Sequence, residues 1–248
     1  MRTDAVDTNA LAYGLGAIGL GAVCLAFHDF ALQWQPVPET LKGNAALAVA
    51  SALILIAGGV LVVLRRTSLA GAMLLATWFG LWVLALHLPN VLRAPAAGFV
   101  GALLGLAELL AVTAAGKQLA LLALGERVPR WARLLPRIAF GLSALVFGIS
   151  HFVYADFTAA MVPDWIPVRL FWAYATGAGH VAAGLALLSG VKARLAATLM
   201  AAMAASFVLL VHAPRVIAAP ASQLEWTMLC MAALIAASAW VMREAVPR

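Results

Sequence analysis

Charged residues in this chain leave long gaps, and the gaps match the thickness of a lipid bilayer. Asp7 and Asp29 enclose 21 uncharged residues, Lys42 and Arg65 enclose 22, and Arg66 and Arg93 enclose 26. Arg93 and Lys117 enclose 23 residues whose one charged member is Glu108. After a basic stretch, four more gaps follow: 18 residues between Arg137 and Asp156, 22 between Arg169 and Lys192, 20 between Arg194 and Arg215, and 17 between Glu225 and Arg243. A membrane-crossing helix needs about 20 mostly apolar residues, because each rises about 1.5 Å through a hydrocarbon core about 30 Å thick. The pattern predicts eight spans, the fifth and eighth being the shortest. With 65% hydrophobic and 10% charged residues, the chain departs far from a soluble domain, which carries about 25% charged residues. Soluble globular and disordered classes are both excluded.

The remaining charges predict orientation. Eight spans put both termini on one side. That side holds Arg2, Arg65, Arg66, Lys117, Arg127, Arg130, Arg133, Arg137, Lys192, Arg194, Arg243 and Arg248, and the other holds Lys42, Arg93, Arg169 and Arg215, a split of 12 to 4. By the positive-inside rule both termini are expected in the cytoplasm of a cell with a bacterial-type plasma membrane. The net charge of +6 is then a topology signal, and no nucleic-acid partner is expected; the bilayer is the expected partner. No cleavable signal peptide is expected either, since the first apolar run exceeds an h-region. Cys24 and Cys230 form no paired motif and read as small apolar packing residues.

The chain repeats itself. His87-Leu88-Pro89 recurs 125 positions later as His212-Ala213-Pro214, and the same offset maps Pro95 onto Pro220 and Gly59 onto Gly184. Two sets of four spans are therefore expected, residues 1–116 and 138–248, joined by a basic cytoplasmic linker at 117–137. Because four is even, the sets enter the membrane in the same direction and form two parallel-repeat four-helix bundles. Gly14, Gly21, Gly141, Gly148, Gly177, Gly184 and the alanine-rich seventh span are candidates for the interface between the sets, since helices in lipid associate through small residues. No proline-broken spans stand out at matching positions of the two sets, which ranks a transporter low.

The second set carries a family resemblance. Phe147-Gly148-Ile149-Ser150-His151-Phe152, Pro163-Asp164-Trp165-Ile166-Pro167, Trp172-Ala173-Tyr174-Ala175-Thr176-Gly177, Ala182-Ala183-Gly184-Leu185-Ala186-Leu187 and Ala193-Arg194-Leu195-Ala196 resemble the DoxX-like membrane proteins, which are four-helix bundles. The first set looks like a diverged copy. Where family patterns often place a glutamate in the second helix, this chain has His180. The resemblance implies a link to quinone-dependent sulfur oxidation or thiol-oxidant defence, as in some members, and hence a soluble or membrane oxidoreductase partner.

Ionisable groups inside a membrane are costly and mark function by default. All five histidines fall within predicted spans. His28, His87, His151 and His212 lie near the outer ends, each seven residues after a glycine or alanine, so each is expected to point into a bundle. His151 and His212 share a leaflet and are expected to approach each other, with His28 and His87 as a second pair. His180 lies near the midplane on a stripe with Thr176 and Gly184. An imidazole offers a donor and an acceptor, ligates haem, and relays protons. Glu108 is expected protonated or paired, with Thr113 or a serine as partner, and is the candidate proton relay.

The outer segments Trp34-Gln35-Pro36-Val37-Pro38 and Pro163-Asp164-Trp165-Ile166-Pro167 read as rigid interfacial lids. In the sharper reading, Asp164 and Trp165 cap a pocket of His151, His180 and His212 that admits a quinone laterally from the lipid. Haem is the second cofactor candidate, and no metal site is expected. No catalytic nucleophile, phosphate loop or metal quartet is visible. The expected role is an accessory, quinone-interacting subunit of a membrane oxidoreductase. A non-catalytic scaffold is the alternative, and a small-molecule transporter ranks below it.

Overall fold

The computed structural model describes residues 8–125 and 128–245. Arg2, Arg127 and Arg248, all part of the charge split, lie outside them. Among the described residues, eight helices are long and apolar enough to cross a membrane. The first four spans are α1 (Thr8–Phe27), α2 (Ala45–Val63), α3 (Ser68–Trp82) continued by α4 (Leu88–Arg93), and α5 (Phe99–Leu124). The last four are α6 (Arg130–Val153), α8 (Arg169–Ser189), α9 (Ala193–Phe207) continued by α10 (Ala213–Ala218), and α11 (Gln223–Met242). A short helix, α7 (Ala155–Met161), occupies the segment between α6 and α8, where the sequence suggested only a loop.

Helices run through several charges that bound the gaps in sequence. The expected linker at 117–137 is largely helix: α5 extends to Leu124 and α6 starts at Arg130. At 26 residues, α5 is about 39 Å long. Lys117 interrupts it without ending it, because the lysine stands exposed while Gln118, Leu119 and Ala120 around it are buried. Arg133, Arg137 and Glu225, all half-buried, also lie inside α6 and α11, so the two shortest gaps belong to helices of full spanning length.

Neighbouring spans pack as α1 on α2, α2 on α3, and α3 on α5, and again as α6 on α8, α8 on α9, and α9 on α11. The two sets meet where α1 packs on α11, α5 on α6, and α5 on α11. The six glycines expected between the sets pack inside them instead. A Cβ on Gly59 would come within 2.6 Å of the Gly14 carbonyl oxygen, and one on Gly21 within 2.7 Å of that of Ala52, so both pairs close α1 onto α2. Likewise a Cβ on Gly184 would meet the Gly141 oxygen at 2.8 Å, and one on Gly148 the Gly177 oxygen at 2.7 Å, closing α6 onto α8. The alanines of α9 also pack within their own set, on α8 and α11. Across the sets, Gly16 and Gly19 of α1 face Leu234 and Cys230 of α11. Small residues let the backbones of these paired helices approach closely, which is how helices in lipid gain packing.

Both third spans contain a matched distortion. Val83–His87 and Val208–His212 each form a π-helical turn that ends on histidine. Pro89 and Pro214 follow two residues later. A proline has no N–H to give to the carbonyl four residues back, and its ring crowds that oxygen, so a wider turn absorbs the mismatch. The spans stay continuous, yet the prolines do perturb matching positions, contrary to the sequence expectation.

Candidate functional site

The segments after the first helix of each set behave differently, and this decides where space remains. In the first of these segments, residues 30–35 fold inward. The turn Leu32–Trp34 buries Trp34, and the buried Gln35 amide donates to Ser51 Oγ at 2.9 Å. Residues 154–168 stay nearer the surface: Phe157, Met161 and Ile166 line the remaining space, while Trp165 is 72% exposed. A cavity of about 1070 Å³ is left against the second set, walled on one side by α5 and the Trp34 turn. His87, Glu108, His151, His180 and His212 all line it. Its apolar edge reaches the molecular surface at Phe157 and Trp172, which line the cavity and are themselves exposed.

The wall from the first set is organised by Trp34. Its indole N–H donates to Glu108 Oε2 at 2.8 Å, and its carbonyl oxygen accepts from His87 Nε2 at 3.0 Å. A buried tryptophan N–H needs an acceptor, and an intramembrane carboxylate needs a donor, so one contact meets both needs. Gly105, one turn before Glu108, makes room for the imidazole: a Cβ there would stand 3.0 Å from His87 Nδ1. The expected partner of Glu108, Thr113, instead donates to its own helix at Leu109.

The opposite wall is built on α6 and α8. His151 Nδ1 lies 3.0 Å from Thr176 Oγ1 and 3.3 Å from the Ala173 carbonyl oxygen. The ring of His180 packs edge-on against His151, with centroids 5.1 Å apart, and against Phe147 at 5.6 Å. Phe207 stacks on His151 and closes the aromatic box. His180 is 4% exposed, and its Nδ1 has no partner; the Nδ1 of His212 is likewise buried and unpartnered. Unsatisfied buried polar atoms are uncommon and call for an explanation such as water or a ligand. Three residues after His212, Arg215 makes a two-point ion pair with Glu225, both contacts at 2.8 Å.

A family described as a domain of unknown function (DUF8561) matches residues 140–243. The matched stretch runs from within α6 to just past α11, under half of the chain. It contains His151, His180 and His212 but not Trp34, His87 or Glu108. No curated protein and no solved structure matches the chain.

The structure gathers five of the residues singled out in sequence and leaves out three. His28 is exposed and serves the backbone. It takes a left-handed conformation (φ 52°) just after α1, with its N–H on Leu25 and the next N–H, of Asp29, on Cys24. That is a Schellman-type helix end. Asp164 is exposed and pairs with Arg169, and Trp165 beside it faces outward, so neither caps the cavity. His151 approaches His180 rather than His212. Cys24 and Cys230 are free thiols. Among the described residues no group of three or more His, Cys, Asp or Glu side chains is placed to hold a metal ion. Sequence reasoning missed Trp34, which was read as part of a lid. The available signal was the mutual need of an intramembrane carboxylate and a donor.

Proposed function

We propose that this chain is a membrane-embedded binding subunit for a lipid-soluble ligand of the quinone–quinol class, serving an oxidoreductase partner. The observation that carries the proposal is one large, mostly apolar cavity with four histidines and Glu108 on its walls and an apolar edge open at the helix surface. Ligand sites of this kind pair an apolar enclosure with a few placed polar groups. The DoxX-like resemblance points the same way.

The same reading takes the chain as two parallel repeats with both termini cytoplasmic. The glycine contacts of α1 with α2 correspond to those of α6 with α8, and the π turns before Pro89 and Pro214 correspond as well. Exchanging the two sets also exchanges the α1–α11 contact with the α6–α5 contact. The cavity then opens toward the outer leaflet, away from the basic loops.

The test is thermal unfolding of the purified protein with a short-tailed quinone or its quinol. A ligand at about 100 times its Kd stabilises by about 2.7 kcal/mol, so the unfolding temperature is expected to rise with either form at sufficient concentration. No rise with either form at saturation overturns the proposal. A second reading, passage of a small molecule across the membrane, draws on the matched π turns; flux through liposomes carrying the protein would favour it.

A further inference from the structure

Many of the hydrogen-bond donors on the cavity wall are engaged by the protein itself, and at His87 and His151 this leaves a lone pair free. The His87 Nε2 contact is a carbonyl oxygen, which only accepts, so the proton sits on Nε2 and Nδ1 keeps its lone pair. His151 obeys the same logic. Its Nδ1 faces the Ala173 carbonyl oxygen and Thr176 Oγ1, and the Thr176 hydroxyl donates to Trp172 O at 2.7 Å, so Nδ1 carries the proton and Nε2 keeps the lone pair.

The other polar groups of the wall agree. The hydroxyls of Ser150, Thr158 and Ser206 each donate to a carbonyl of their own helix. Such bonds are common for helical serine and threonine, but here they leave only oxygen lone pairs for a ligand. The indole N–H of Trp34 is held by Glu108, and that of Trp172 by the Pro167 carbonyl. Among the described residues of the lining, donors remain on Tyr154, on the Gln33 and Asn90 amides, which are exposed, on the rings of His180 and His212, and on Glu108 in its protonated form.

Resting on the quinone–quinol reading above, we infer that the cavity is built for the reduced, phenolic form: a hydroquinone whose hydroxyls donate to the lone pairs of His87 and His151. A quinone offers only acceptors to these atoms, and acceptor facing acceptor leaves both unpaired. A site that hydrogen-bonds a hydroxyl discriminates strongly against an analogue lacking it, because its own polar groups are then left without partners. A lipophilic ammonium also donates, but most of the lone pairs here belong to neutral groups, and the one carboxylate already holds the Trp34 indole.

The experiment compares, on the purified full chain, a short-tailed hydroquinone under anaerobic conditions, the matching quinone, the hydroquinone dimethyl ether, and an alkylammonium of similar size. Ligand-induced thermal shifts give the four affinities. The hydroquinone is expected to bind at least about tenfold more tightly than the quinone and the ether. Equal binding of hydroquinone and quinone overturns this inference and leaves the class assignment standing. Binding of neither overturns both. Tighter binding of the ammonium overturns the phenolic assignment. His87→Phe and His151→Phe are each expected to bring the hydroquinone-to-quinone ratio toward one. If a variant fails to fold, the wild-type ratio decides alone.

Discussion

The indole N–H of Trp34 lies 2.8 Å from a carboxylate oxygen of Glu108, 74 positions further along the chain. It bridges the segment after α1 to the middle of α5 and sets one wall of the cavity. Losing a charged or strongly polar buried hydrogen bond costs about 1–3 kcal/mol. Trp34→Phe is therefore expected to lower stability by that amount in denaturant unfolding. Glu108→Gln keeps an acceptor and is expected to cost less. A double variant whose loss equals the sum of the two single losses would show that the contact carries no coupling.

Two glycines test the packing. A Cβ on Gly148 would sit 2.7 Å from the Gly177 carbonyl oxygen and would run into a Val181 methyl, whereas one on Gly80 would find nothing closer than 3.6 Å. Gly148→Ala must push α6 off α8 and is expected to destabilise by about 1–3 kcal/mol. Gly80→Ala is expected to be neutral or slightly stabilising, since alanine is the better helix former. Thermal unfolding of the two variants side by side checks the contrast.

Pro214 is expected to place His212 through the π turn Val208–His212. Pro214→Ala restores an N–H and lets the span revert to α-helix, turning the residues on either side of the lost bulge by about 100° relative to each other. Ligand-induced stabilisation should fall while the unliganded protein unfolds at an unchanged or higher temperature. Unchanged ligand stabilisation would show that the π turn does not set the histidine.

Orientation is open to a labelling test. A cysteine introduced for Lys42 is expected to react with a membrane-impermeant thiol reagent in intact cells. One introduced for Lys192 is expected to react only after permeabilisation, following the positive-inside rule. The background is a chain with Cys24 and Cys230 replaced by alanine. The reverse pattern would invert the assigned topology.

Much of the architecture is legible in the residues one at a time. Eight apolar stretches between charges become, among the described residues, eight helices long and apolar enough to cross a membrane; in lipid a backbone must satisfy its hydrogen bonds within each segment. His180 was marked by its depth and by its neighbours Thr176 and Gly184, and it does lie buried beside the site. The matched His87-Leu88-Pro89 and His212-Ala213-Pro214 are legible as a repeat, but the π turns before them are not, because that distortion follows from backbone hydrogen bonding that a count of charges does not see.

What tertiary structure alone decided is which polar groups meet. Helical spacing put His28 and His87 on equal footing, yet one ends α1 in a left-handed turn and the other faces the cavity. Trp34 and Trp165 sit in similar proline-bearing segments, yet one is buried against Glu108 and the other stands in the open. The physical reason is that burial in a bundle depends on how each connecting segment folds back over the helix ends. That choice is made by contacts between residues far apart in the chain, while the spans are dictated locally by the cost of a charge or a bare amide in lipid.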